Sequence, residues 1–191
     1  SFFFNQLNEF DFGMKERFDF FNSICKYSNG IISTYDQKYL KQFCYKEKIK
    51  YFFIPHLFSK KDFVKKKYKK NNDLLFTGQL NAYRKNLIKK INMKTNVESI
   101  LHYKKRDELI RKYKILLCLN KDVEQHKPST NRTFIALKKD IIPIVEECKI
   151  KDQFSDYCFM FKAKDINFKV KDILLNFKRY NIQYQKIRIK A

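Results

Sequence analysis

Three short stretches of this chain carry residue types suited to holding phosphate and sugar groups. The first is Gly78-Gln79-Leu80-Asn81, a glycine turn leading from the apolar run 73–77 (DLLFT) into a helix that Asn81 can cap. Arg84 lies in the first turn of that helix. Free backbone N–H groups and a guanidinium at such a place can hold a phosphate. An ordinary strand-to-helix turn also accounts for a lone glycine. The second is Lys127-Pro128-Ser129-Thr130-Asn131-Arg132, a polar helix start that follows the most apolar run of the chain. Hydroxyls, N–H groups and Arg132 together make a diphosphate site, although capping alone explains Ser129 and Thr130 equally well. The third is Glu146-Glu147 after IIPIV, where a carboxylate can accept from a ribose or sugar hydroxyl, or simply face water.

Other chemistry is poorly represented. His56, His102 and His126 stand apart without metal-ligand spacing, and nothing near His56 in sequence orients it as a base. There is no GxSxG, GxxxxGK[ST] or HExxH pattern. Cys25, Cys44, Cys118, Cys148 and Cys158 form no CxxC pair, and most sit among apolar neighbours. They read as free buried thiols in a reducing intracellular compartment. No metal site is expected.

The elements that must position these groups alternate. Residues 2–4 (FFF) read as a strand, 14–27 as a helix, 31–32 as a strand, 36–45 as a helix and 49–54 as a strand ending at Pro55. Residues 59–72 are almost wholly polar and lysine-rich, the pattern of an exposed linker. Phe63 and Tyr68 interleave with the lysines, so a nucleic-acid patch is the sharper alternative. The alternation then resumes. Strands are expected at 73–77, 97–101, 115–119, 141–145 and 157–161, with helices after residues 81, 105, 131 and 165. Pro143 argues for an edge position for 141–145. The last residues read as a tail or a closing helix. Strands alternating with helices imply a parallel sheet with helices on both faces: an α/β, Rossmann-like fold with a partial second α/β unit.

The chain has 191 residues with 42 Lys+Arg against 20 Asp+Glu, a net charge of +22. Its 17% aromatic and 44% hydrophobic content exclude a disordered chain. Three Gly and three Pro exclude collagen-like architecture. No apolar run is long enough to span a membrane. The positive charge has two readings: a polyanionic partner, or the lysine drift of AT-rich coding. The chain starts at Ser1 rather than Met, which suits either a processed protein or a piece of a longer one.

In order, the segments YFFIPHLF, DLLFTGQLNAYRKNLIKKI, YKILLCLN, PSTNRTFIALKKDIIPIVEE and YCFMFKAKDINFKVKDILLNF resemble the second half of GT-B glycosyltransferases of the family 1/4 type. Residues 73–84 are similar to that family's D-V-L-F-x-G-x-L-N-x-R-R strand–turn–helix. Residues 114–120 are similar to its K-I-x-L-N strand, 129–138 to its S-x-x-R-x-x-E-A-L-A-x-G helix, and 142–146 to its P-V-I-S-E segment. FFFNQLNEF and GIISTYDQKYLKQF are similar to segments of its first domain. Two departures stand out. Thr130-Asn131-Arg132 replaces a carboxylate at the helix start, and Lys139-Asp140 replaces a glycine.

The resemblance implies residues 1–58 as the remnant of a first, acceptor-side domain, 59–72 as a basic linker and 73–191 as a nucleotide-sugar-binding domain. It implies transfer of a sugar from a nucleotide-diphosphate sugar to an acceptor, with no metal and no further cofactor. Gly78, Gln79, Asn81, Arg84 and Lys85 would face the diphosphate from one side, and Ser129, Thr130, Asn131 and Arg132 from the other. Glu146 would touch the sugar or ribose, and the catalytic base would come from the first domain. The competing expectation is a non-catalytic basic subunit of a ribonucleoprotein, such as an organellar ribosome. There Lys60, Lys61, Lys65, Lys66, Lys67, Lys69 and Lys70 would meet RNA phosphates. A third expectation places the same lysines against anionic lipid.

Overall fold

A computed structural model of the chain describes residues 12–33, 38–54, 68–98, 103–123, 130–149, 151 and 154–190. The expected strand at 2–4 lies outside them. The chain divides into two compact units, Ser1–Leu57 and Phe58–Ala191.

In the first unit, α1 (Phe12–Cys25), β1 (Gly30–Ser33), α2 (Lys38–Lys46) and β2 (Lys50–Phe53) follow one another. The strands pair in parallel, Gly30 opposite Lys50 and Ser33 opposite Phe53. A Cβ at Gly30 would come within 3.2 Å of both the Lys50 carbonyl oxygen and the Phe52 ring, so glycine allows the close pairing. Cys25, Leu40 and Cys44 are buried, and the rings of Phe21 and Phe43 meet at 5.5 Å between the two helices.

The second unit is a five-stranded parallel sheet with helices around it. Its elements are β3 (Asn72–Thr77), α3 (Ala82–Lys90), β4 (Thr95–Glu98), α4 (Tyr103–Ile110), β5 (Tyr113–Cys118), α5 (Thr130–Lys139), β6 (Ile142–Glu146), β7 (Phe159–Phe161), α6 (Ile166–Leu175) and α7 (Phe177–Lys190). The strand order is β4-β3-β5-β6-β7. The chain therefore first steps outward from β3 to β4, then returns across β3 to β5 and continues the other way. This reversal places a topological switch point between β3 and β5.

With right-handed crossovers, this one reversal puts α3 on one face of the sheet and both α4 and α5 on the other. Leu74 and Phe76 of β3, Ile115 and Leu117 of β5, and Ile142 and Ile144 of β6 share one core with Leu87 of α3, Ile173 of α6 and Tyr184 of α7. Leu75, Leu116, Cys118 and Val145, the alternate positions of the same strands, share the other with Ile110 of α4 and Ala136 of α5. The expected parallel sheet containing 73–77, 115–119 and 141–145 is thus present.

Two details differ from expectation, and the end of the chain takes one of its two expected forms. The strand expected at 97–101 occupies Thr95–Glu98. Pro143 lies in an interior strand, opposite Leu116 and between β5 and β7. All five residues of β6 are buried, and that burial holds the strand in place although Pro143 lacks a ladder donor. The last residues form α7, separated from α6 by Asn176 alone. The Asn176 N–H donates to Asp172 O and its carbonyl accepts from Tyr180 N–H, so helical bonding bridges the bend.

Candidate functional site

The carboxyl ends of β3, β5 and β6 converge on a cluster built from both of the glycine and arginine segments. β3 is followed directly by Gly78, whose φ of 127° is one that L side chains rarely adopt. Asn81 then caps α3: its Oδ1 accepts from the Arg84 N–H at 2.9 Å, and its Nδ2 donates to Lys121 O at 2.6 Å. The cap therefore also ties α3 to the loop after β5.

Arg84 is 8% exposed. Its Nε donates to Asn120 O at 2.8 Å, one terminal nitrogen to Gln79 O at 2.8 Å, and the other to Leu119 O at 3.3 Å. Arg132, from the first turn of α5, donates to the same Leu119 carbonyl at 2.9 Å. The guanidinium carbons of Arg84 and Arg132 stand 5.7 and 5.3 Å from the centroid of the Phe76 ring. Two cations thus share one carbonyl and one aromatic ring at the switch point. Burial and then the neighbouring Arg132 charge draw the Arg84 pKa down to about 10, and burial lowers that of Arg132. Arg84 still carries its charge at neutral pH.

Glu146, at the end of β6, is 3% exposed. One oxygen accepts from the Tyr83 hydroxyl and the other from the Asn120 N–H, the latter at 2.8 Å. Burial pushes its carboxyl above the usual range, against the opposing pull of Tyr83, Asn120 and Arg84. Burial, with the bond to Glu146, raises the Tyr83 hydroxyl, which stays a donor. Asn120 also donates from Nδ2 to Glu147 O at 3.2 Å, and its Oδ1 accepts from the Cys148 thiol at 3.2 Å. With both oxygens engaged, Glu146 braces the turn after β5 against α3.

The structure thus brings Gly78, Gln79, Asn81, Arg84, Arg132 and Glu146 together. Lys85 is exposed, and its N–H is held by Asn81 O. Asn131 is half-buried at the start of α5. Ser129 and the side chain of Thr130 lie outside the description. Tyr83, Asn120, Phe76 and Cys148 belong to the cluster without having been singled out from the sequence. Asn120 carried a usable signal, a polar side chain directly after the most apolar strand. Tyr83 sits at helical spacing with Leu87, a pattern that points to core packing and not to a bond with Glu146.

Of the lysines at 60–70, Lys60, Lys61, Lys65, Lys66 and Lys67 lie outside the described residues, and Lys69 is exposed. Lys70 is turned inward. Its ammonium donates to Asp140 O and pairs with the Asp140 carboxylate at 4.0 Å. Arg188 reaches the same carboxylate at 3.0 Å and Leu137 O at 2.9 Å, while Gln185 donates to it at 2.6 Å. Asp140 holds this position with φ 56°. Among the described residues, no three His, Cys, Asp or Glu side chains converge to hold a metal ion.

No protein-family model, curated protein or solved structure matches the chain. What the fold and cluster define is an open parallel α/β unit with a basic switch point.

Proposed function

We propose that this chain is a glycosyltransferase-like protein that holds the diphosphate of a nucleotide-activated sugar at the β3/β5 switch point. The observation that carries the reading is the pairing of Arg84 and Arg132 over Phe76, beside the Gly78 turn. Ligands of open α/β sheets sit beyond the carboxyl ends of the strands at this reversal. The first turns of α3 and α5 hold no acidic residue, so the positive ends of both helices add to the two guanidinium charges. With Glu146 ionised, the three side chains sum to one positive charge in a largely buried setting where attraction for an anion is only weakly screened.

In transfer, an acceptor nucleophile bonds to the sugar's anomeric carbon and gives up its proton to a base, while the bond from that carbon to the diphosphate oxygen breaks and its electron pair leaves with the diphosphate. Arg84 and Arg132 supply the fixed positive charge that stabilises this leaving group. The carbonyls of Leu119, Asn120 and Gln79 hold the guanidiniums in place beforehand, so little rearrangement accompanies charge development. Tyr83, Glu146 and Asn120 keep the β5 turn in register with α3.

Titration calorimetry with a panel of nucleoside diphosphates tests the reading. The parent should bind at least one of them, and Arg132→Ala should bind it about tenfold more weakly, since one charge-assisted contact contributes about 1.5–3 kcal/mol. A parent that binds none of the panel overturns the proposal.

A further inference from the structure

The helices α6 and α7 carry a second apolar surface that the core does not use. Their inner face is the row Ile166, Val170, Ile173, Tyr180 and Tyr184, all buried. On the outside, Phe168, Leu175, Ile182 and Ile189 recur at every seventh residue and are 73, 85, 53 and 86% exposed. A seven-residue step drifts only about 20° around a helix, so each helix presents its pair along one line. Within each helix the two side chains of a pair lie about 10 Å apart, at 1.5 Å per residue. At the Asn176 bend, Leu175, Asn176, Lys178, Arg179 and Ile182 line an open hollow of about 420 Å³. Lys171, Lys178, Arg179, Lys186 and Lys190 are exposed along the same helices, and α7 contains no acidic residue at all.

We propose that this stripe docks the protein on an anionic lipid surface, with the helix axes in the membrane plane. Charge and spacing select that occupant. A helical partner, or a second copy, needs two apolar residues per seven, and the positions three and four along are Lys171 and Asp172, Lys178 and Arg179, Gln185 and Lys186. A second copy would set these cations against each other. An anionic bilayer accepts a single line of bulky apolar side chains into its headgroup boundary while phosphates meet the flanking cations. Among the described residues no helix is long and apolar enough to cross a membrane, so the contact is at the surface.

The chain has no tryptophan, so one introduced residue reports its own surroundings. Leu175→Trp and, separately, Ile182→Trp should shift their emission to the blue on adding phosphatidylcholine vesicles containing 30 mol% phosphatidylglycerol at about 0.15 M salt. Glu108→Trp, on an exposed position of α4, should not shift. The double variant Leu175→Ser with Ile189→Ser should partition into these vesicles about tenfold less than the parent. Pure phosphatidylcholine vesicles should capture much less parent protein. Three results would each overturn the proposal. One is cosedimentation without a shift at either tryptophan, which assigns binding to scattered lysines. Another is no cosedimentation. The last is emission already blue without vesicles together with dimers that Ile182→Asp dissociates, which assigns the stripe to a second copy.

Discussion

A Cβ added to Gly78 would lie 2.6 Å from a terminal nitrogen of Arg132. The glycine and the arginine come from segments more than fifty residues apart, and each limits what the other position can hold. Gly78→Ala should therefore act twice. The backbone at φ 127° becomes strained, at a cost of about 1–3 kcal/mol. The tip of the Arg132 guanidinium must also shift away from the added Cβ. Urea unfolding should show the stability loss, and calorimetry should show weakened diphosphate binding beyond it at temperatures where the variant stays folded.

Arg84→Lys keeps the charge and loses the fork. A single ammonium cannot reach Gln79 O, Leu119 O and Asn120 O together in the geometry a planar guanidinium offers. At least one buried carbonyl is left without its donor, and the urea midpoint should fall by the equivalent of about 1–3 kcal/mol. An unchanged midpoint would show that the carbonyls are satisfied by water.

The raised Glu146 carboxyl fixes the sign of one pH effect. Between the unfolded glutamate pKa, about 4.3, and the higher folded value, the native state binds more protons than the unfolded one. Stability contributed by this group is then greatest at the acid end. It falls as pH rises through that window and levels off above the folded pKa. Glu146→Gln removes the titration. The stability of the variant minus that of the parent should therefore increase with pH from about 4.3 upward, measured as urea midpoints across the range. A difference that is flat, or that falls, contradicts the assignment.

Asp140→Asn retains a residue that tolerates φ 56° but removes the charge that Lys70 and Arg188 share. Two largely buried cations are then left facing each other. Thermal and urea unfolding should show a loss of about 2–3 kcal/mol, somewhat below the range for a fully buried pair because Asp140 keeps partial contact with water. Converting Lys70 to Met in the same chain should recover part of the loss.

The sheet was legible because its signals are local. ILLCL and IIPIV are unbroken apolar runs, as strands covered on both faces require, and Gly78 and Asn81 mark a turn and a cap within four residues. The convergence of Gly78, Arg84, Arg132 and Glu146 followed from topology, since parallel strands put their carboxyl ends on one edge. What those side chains bond to was not legible. Arg84 meets carbonyls of Leu119 and Asn120, and Tyr83 meets Glu146, pairings fixed only by how β5 and β6 sit beside β3. Lys70 shows the same limit. In sequence it is the last lysine of a polar run, and only the packing of the turn between α5 and β6 reveals the Asp140 carboxylate it meets. Pro143 was misplaced at an edge because the rule weighs the missing donor and not the burial of the whole strand.

Asp140 gathers residue 70, at the start of the second unit's sheet, and residue 188, at the end of its last helix, onto one carboxylate. The unit is thereby a ring in all but covalent bond. Pulling residue 70 away from residue 188 therefore has to break one arm of that junction. The same closure makes the unit suitable for rewiring. A short peptide from Lys190 back to Lys69, with new ends opened at Val123, leaves every strand neighbour in place, and the rewired unit is expected to fold around the same sheet.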